Sequence, residues 1–292
     1  MKIGFSAADS GQCIREFLQK RFAISSRCLS ALKSKADGIT VNGEKRTVRY
    51  LLQQGDELCL LLGDGEGDAA PLPPPQALPF PVLAADEWFI AVSKPYDMPT
   101  HQSHGHRGDT LADALAAACG TPLVFRAITR LDRDTSGVVL LARNQLAAGF
   151  FSRAMAAGEI EKTYYAITHA ALPEPCGRMT DYIAREEHGI IRRTVVPAGE
   201  GDLAVTDYET ADARNGKLLL RLMPRTGRTH QLRVQLSSRG CPIAGDDFYG
   251  GSLDFPRQAL HAARLTFPHP EKGRVTVEAP LPVDMQRYFY EE

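Results

Sequence analysis

Residues 63–81, GDGEGDAAPLPPPQALPFP, constrain the fold more than any other stretch. Pro71, Pro73, Pro74, Pro75, Pro79 and Pro81 lack the backbone donor that a helix interior or a central strand requires. No single element can run through such a segment. The sequence therefore predicts a small unit at 1–62, a semi-rigid tether at 63–81 and a larger unit at 82–292. A chain of 292 residues, 43% of them hydrophobic, is long enough to give each unit a core.

Several classes are disfavoured at once. No apolar run approaches the roughly 18 residues that a membrane span needs, so no membrane partner is expected. The start, MKIGFSAADSG, lacks the basic head and long apolar stretch of a secretory signal. Cys13, Cys28, Cys59, Cys119, Cys176 and Cys241 are scattered without a Cys-x-x-Cys pair, which predicts buried structural thiols in a reducing cytoplasm. A monomer is expected. The net charge of −1 excludes a generic polyanion binder, but its distribution is uneven. Residues 1–62 hold 10 Lys and Arg against 6 Asp and Glu, a net +4; the rest holds 24 against 29, a net −5. A basic head of this kind can meet an anionic partner locally.

In the small unit, Asp9 or Ser10 is placed to cap a helix whose single apolar face is Ile14, Phe17, Leu18 and Phe22. Ser25 or Ser26 is placed to cap a second, with Leu29 and Leu32 inward. Asn42-Gly43 signals a hairpin, and ELCLLL a further strand. Arg27, Lys33, Lys35, Lys45 and Arg46 gather on the second helix and the hairpin. Judged alone, they fit a solvated basic face as well as a nucleic-acid footprint.

In the larger unit, EWFIAVSKP, GVVLLAR, KTYYAITHA, KLLLRLMP and RVTVEAP read as strands, while TLADALAAAC, AAGFFSRAMAAGE and THQLRVQLSSRG read as helices. They do not alternate strictly. An α+β fold is expected, with a mixed, mostly antiparallel central sheet and flanking helices.

Three groups carry chemistry. RLDRDTSG, residues 130–137, is a charged loop directly ahead of the apolar run VVLLA, so a rigid strand holds it. Arg130 and Arg133 flank Asp132 and favour its anionic form, while Asp134, Thr135 and Ser136 suit the turn itself. A self-satisfied ionic turn fits the same residues. The second group is RTGRTHQLRVQLSSRGCPIAGDDFYG, residues 225–250, read as a helix capped by Thr226 or Thr229 and ended by Gly240 and Pro242. It sets His230, Arg233 and Ser237 on one stripe and Leu232 and Leu236 on another, and a two-pronged pair between Arg233 and Asp132 is expected. The third is EKTYYAITHA, where strand alternation sends Tyr164 and Tyr165 to opposite faces. A tyrosine packed in the core satisfies that pattern too.

SSRCLSALKSKADGITVNG and LLQQGDELCL resemble the small RNA-binding module first described in ribosomal protein S-four, over residues 10–62. Over residues 82–284, DEWFIAVSKPYDMPTH, RLDRDTSGVVLLAR, EKTYYA, AVTDYE, the 225–250 segment and LHAARLTFPHP resemble the RluA-type pseudouridine synthases. That resemblance implies a pseudouridine synthase fold and an enzyme that isomerises uridine in structured ribosomal or transfer RNA without a cofactor or metal. It implies Asp132 as the catalytic aspartate, Arg130 as the side chain that fills the space of the displaced base, Tyr164 stacked on the uracil, and Arg233 paired with the aspartate. Thr135, Arg228, His230 and Gln231 are implied as substrate-binding residues. Two positions depart from the family: Thr129 precedes R-L-D where histidine is usual, and Gln235 stands where V-H-L is common. Both departures bear on substrate detail, since neither position holds a catalytic group.

Rival readings carry less. D-T-S-G is similar to the active-site element of aspartic proteases, but those need two carboxylates sharing a proton, and this element occurs once between arginines. His101, His104 and His106 could seat a metal, yet no carboxylate or cysteine beside them completes the set. A catalytically inactive structured-RNA binder would need neither Asp132, Tyr164 nor Arg233 in a pocket.

Overall fold

The computed structural model describes residues 2–3, 10–62, 78–102, 108–119, 124–186 and 191–291. The N-terminal part is a four-stranded antiparallel sheet, in the order β1-β4-β2-β3, with two helices. Its strands are β1 (Lys2–Ile3), β2 (Ile39–Val41), β3 (Glu44–Lys45) and β4 (Leu58–Leu60). Asn42 and Gly43 take φ of 53° and 81°, the backbone a two-residue hairpin turn demands. Helix α1 (Ile14–Phe22) buries Ile14, Phe17, Leu18 and Phe22, the face spaced for it in the sequence. Its N-cap is Cys13, without a side-chain bond, rather than Ser10; Asp9 lies outside the described residues. The reason is local: the amides of Ile14 and Arg15 donate to the carbonyls of Tyr50 and Val48 at 3.0 Å each, so the first turn needs no polar cap. Helix α2 (Ser26–Ser34) is capped by Ser25, which accepts the Cys28 amide at 3.1 Å.

The larger sheet has ten strands among the described residues: β5 (Val82–Ala85), β6 (Phe89–Lys94), β7 (Ser136–Ala142), β8 (Glu161–Thr168), β9 (Cys176–Arg185), β10 (Arg193–Val196), β11 (Asp202–Arg214), β12 (Lys217–Pro224), β13 (Leu260–His269) and β14 (Gly273–Glu278). Their order is β10-β9-β11-β12-β8-β13-β7-β6-β5, with β14 on β13. Among the described residues only β13 with β7 is parallel, so the fold is α+β with a mixed, mostly antiparallel sheet. Helices α3 (Leu111–Cys119), α4 (Gln145–Ala156), α5 (Gln231–Ser237) and α6 (Val283–Tyr290) flank it. All seven residues of β7 are buried, as a strand covered on both faces requires. The parallel contact brings β7 so near β13 that a Cβ at Gly137 would lie 2.2 Å from the Ala262 carbonyl oxygen. Glycine at 137 is therefore a steric requirement, reinforced by its φ of 118°.

The two parts share one hydrophobic cluster. Phe22 stacks on Trp88 with ring centroids 5.4 Å apart. Arg153 of α4 donates to the carbonyls of Lys20 and Arg21, and Arg21 donates to the Pro270 carbonyl at 2.7 Å. Of the proline-rich stretch, residues 63–77 lie outside the described residues. Its end is packed rather than free: Leu78 and Phe80 are buried beside Ile90, Val92 and Val139. Proline bars backbone pairing there, but not the burial of the apolar side chains between the prolines. The thiols also differ from expectation. Cys28 and Cys241 are buried, Cys13 and Cys59 are half-buried and Cys176 is exposed. Among the described residues no helix is long and apolar enough to cross a membrane.

Candidate active site

The polar loop ahead of β7 is clamped from several directions. Thr129 accepts the Leu140 amide at 2.9 Å, and Thr100 both donates to the Leu131 carbonyl and accepts the Leu131 amide. Gln258 donates to the Thr135 hydroxyl at 2.8 Å, and Arg257 to the Asp134 carbonyl at 3.2 Å. Lys94 is fully buried beneath the loop, its Nζ within 2.7–3.0 Å of the carbonyl oxygens of Pro95, Met98 and Arg133. Three acceptors at that range suit an ammonium. Burial nevertheless draws its pKa down to about 7, against the pull of Asp132 and Asp134. Such a loop presents, on a backbone tied at several points, a carboxylate that Arg133 does not pair with, unlike its neighbour Asp134.

That carboxylate is Asp132, 30% exposed at its side chain. Arg233 Nη1 donates to it at 3.1 Å. The rest of the guanidinium grips Asp246 with two prongs, Nε at 2.7 Å and Nη2 at 2.8 Å, and the Asp246 side chain is fully buried. Burial works against the charge on Arg233; the bonds to Asp246 and the two carboxylates overcome it and hold its pKa above the ordinary value. Tyr249 supports the guanidinium face, its ring 4.9 Å away. The expected Asp132–Arg233 pair is thus present, but as a triad with Asp246. Arg133 does not take part. It turns instead to its other neighbour, Asp134, at 3.1 Å and to Asp97 at 3.7 Å.

A cavity of about 540 Å³ opens over Asp132, with Tyr164, Arg130, Lys162, Arg228 and His230 in its walls. Strand alternation on β8 turns Tyr164 into this space. Burial first, then the charge of Asp132, raises its pKa, so the phenol stays protonated. Arg130 is exposed at the rim, and Arg228 is anchored by a bond to the Leu203 carbonyl at 3.0 Å. Lys162 donates to the Thr226 carbonyl, and burial lowers its pKa. Gln231 and Thr135 line the cavity but spend their polar atoms inward. Gln231 accepts from Thr226 and the Arg228 amide, and donates to Val205 and Thr206, which fixes the 225–230 loop.

The helix carrying Arg233 differs from expectation in its start and its surroundings. Its N-cap is His230, in the left-handed region at φ 56°, and neither Thr226 nor Thr229 caps it. Thr226 is occupied by the Val205 amide and Gln231. The helix is buried from Gln231 to Leu236, with Gln235 tied to Thr206, Ala204 and Asp181. Burial of that kind explains how polar residues on α5 hold a fixed orientation.

Arg27, Lys33, Lys35, Lys45 and Arg46 are not among the residues lining the cavity. Arg27, Lys33 and Lys45 are exposed, Lys35 donates to the Leu61 carbonyl, and Arg46 pairs with Glu44 at 2.5 Å. His101 packs edge-on against Phe125, while His104 and His106 lie outside the described residues. Among the described residues no group of three His, Cys, Asp or Glu could hold a metal. Asp246, Tyr249 and Lys94 are the site residues that sequence reasoning passed over. Each sits in a motif already singled out, GDDFYG or VSKP, and a carboxylate between glycine and aromatic residues was the available signal.

The pattern of the family described as RNA pseudouridylate synthase matches residues 88–238. A Bacillus subtilis protein described as "Uncharacterized RNA pseudouridine synthase YjbO" is 34% identical over 90% of this chain and 94% of its own. "Ribosomal large subunit pseudouridine synthase D" of Zymomonas mobilis is 35% identical over 74% of this chain and 73% of its own. The solved structure of human RNA pseudouridylate synthase domain containing 1 superposes with a TM-score of 0.58 and 27% identity, covering 71% of this chain and 85% of that one. The chain belongs to the RNA pseudouridylate synthase family. Within that family it is of the RluA type, an isomerase acting on RNA.

Proposed function

We propose that the protein converts specific uridines of large-subunit ribosomal RNA to pseudouridine, with Asp132 as the catalytic group. The observation that carries this reading is the Asp132–Arg233–Asp246 array at the floor of a cavity walled by Tyr164. The reaction breaks the bond between C1′ and N1 of uracil, turns the base, and joins C1′ to C5; C5 loses a proton and N1 gains one. One carboxylate suffices, as a nucleophile or as a base and electrostatic partner to the sugar. Arg233 fixes the direction of that carboxylate, and the hydrogen bonds to Asp246 leave it little freedom to turn elsewhere.

Extruding the uridine costs roughly a few kcal/mol of stacking. Arg130, at the rim, fills the space the base leaves, and Tyr164 offers its ring to the uracil. The walls keep water from the detached sugar, which would otherwise be hydrolysed. Arg228 and His230 add polar contacts at the mouth. The basic face of residues 10–62, an S-four-like module in this reading, holds the structured RNA in place. The Zymomonas mobilis relative, described as acting on the large ribosomal subunit, supports that choice of RNA, and a cytoplasmic location goes with it.

The test is a transcriptome-wide pseudouridine map from cells with and without the protein, followed by purified wild type and Asp132→Asn on the RNA so identified. At least one ribosomal position should lose its pseudouridine, and Asp132→Asn should be slower by roughly a thousandfold or more while keeping its circular-dichroism spectrum. An unchanged map rejects the substrate. Activity surviving Asp132→Asn rejects the catalytic assignment.

A further inference from the structure

His230 begins α5 with a positive φ, a conformation that costs a non-glycine residue energy and persists where its surroundings enforce it. Its surroundings fix the ring as well. The Tyr249 hydroxyl oxygen accepts the Arg193 backbone amide at 2.9 Å and lies 2.8 Å from His230 Nδ1. Tyr249 is 4% exposed, so its own proton needs an acceptor, and Nδ1 is the one in reach. The hydroxyl therefore donates to Nδ1, and the proton of the neutral ring sits on Nε2. Burial, the largest influence, lowers the His230 pKa and keeps that ring neutral. The opposite tautomer would leave the Tyr249 proton unpartnered and aim a lone pair at a carboxylate.

Nε2 lies 3.9 Å from Asp132 Oδ2. That is too long for a hydrogen bond. Two atoms that each reach one shared oxygen at about 2.8 Å stand roughly 4–4.6 Å apart, close to the spacing seen here. Both residues line the cavity. In an internal RNA nucleotide the 3′ and 5′ oxygens are esterified to phosphate, so the ribose has one free hydroxyl, the 2′. It is attached to the carbon next to C1′, where the reaction takes place.

We propose that His230 Nε2–H and Asp132 Oδ2 together grip the 2′-hydroxyl of the target uridine, which accepts from the imidazole and donates to the carboxylate. This rests on the reading of Asp132 given above. His230 then acts as a substrate-orienting residue that sets C1′ against Asp132, and the pair makes turnover favour ribonucleotides. Tyr249 acts through His230, as a positioning residue that selects its tautomer. Its role is separate from the support it gives the Arg233 guanidinium, because that support uses the ring and the tautomer uses the hydroxyl.

A cycle of enzyme and substrate changes tests the grip. A synthetic RNA hairpin carrying the mapped uridine is compared with one carrying 2′-deoxyuridine at that position, using wild type, His230→Ala, His230→Gln and Tyr249→Phe. For wild type, removing the hydroxyl should lower kcat/KM by about 10- to 100-fold. His230→Ala should cost a similar factor on the ribo substrate and lose most of its sensitivity to the hydroxyl. His230→Gln, whose amide donor reaches the Nε2 position, should restore part of the discrimination. Tyr249→Phe, which keeps the ring beneath Arg233, should weaken it. Full and equal 2′-deoxy penalties in wild type and His230→Ala overturn the proposal. If wild type makes no pseudouridine in the ribo hairpin, the reading of Asp132 and its substrate fails instead.

Discussion

Arg233 and Arg46 each pair with a carboxylate within 3.1 Å, yet the two pairs do different work. Arg233 is 7% exposed and its guanidinium is divided between a fully buried Asp246 and the cavity-facing Asp132. Arg46 lies on the N-terminal surface, its side chain 38% exposed, against a Glu44 that is 69% exposed. In the first case Arg233 and Asp246 have given up water and depend on each other, so removing one strands the other. In the second, solvent screens the pair and replaces either member at little cost. The two arginines differ in how far their surroundings replace water, and that difference sets what each pair costs to break.

The contrast can be broken most directly at Asp246. Asp246→Ala leaves the Arg233 guanidinium without its two-pronged partner, and unfolding free energy should fall by about 3–5 kcal/mol. Glu44→Ala should change it by no more than about 1 kcal/mol. Urea denaturation of both variants measures the difference. Comparable losses would mean that burial of the triad is not what distinguishes the two regions.

A second buried group sharpens the same contrast through pH. His261 on β13 is 1% exposed; its Nδ1 meets the Ser136 hydroxyl at 2.9 Å and its Nε2 the Ala279 carbonyl at 3.1 Å. Burial lowers its pKa from 6.5 to about 4. Between those values the unfolded chain takes up a proton that the folded chain refuses. Its contribution to stability is therefore complete above pH 6.5 and is lost as pH falls towards about 4. The loss is on the order of 3 kcal/mol. Urea midpoints between pH 7 and pH 4 should fall more steeply for wild type than for His261→Gln. Parallel curves would show that this imidazole does not resist protonation, although its residue sits at the parallel β7–β13 junction behind the 130–135 loop.

What the sequence reveals follows the same division. RLDRDTSG ahead of VVLLA announces a loop on a buried strand because local order alone encodes it. The Asn42-Gly43 turn, the α1 face and the Ser25 cap are legible for that reason too. Strand β9 is not, since only Met179 and Ile183 along it are buried and no alternation results. The Asp132–Arg233 pair joins residues 101 positions apart and could be expected only from motif chemistry. Asp246 completes the triad through a tight loop whose backbone, not its pattern, aims the carboxylate. The caps of α1 and α5 escaped because distant carbonyls and an αL histidine replace the usual hydroxyl.

The smallest effects belong to the exposed basic face. Lys33 and Lys45 are exposed, so a Lys33→Ala, Lys45→Ala pair should leave unfolding free energy within about 0.5 kcal/mol of wild type. Binding to the structured RNA should nonetheless weaken, because each phosphate contact releases counterions and contributes roughly 0.7–0.9 to the slope of log affinity against log salt. The double variant should show weaker binding at low salt and a slope shallower by about 1–2. The Asp246 variant should do the reverse, losing stability and turnover while keeping the salt slope. If the lysine variant binds with unchanged affinity and slope, those lysines are solvated surface and the RNA reaches the cleft without them.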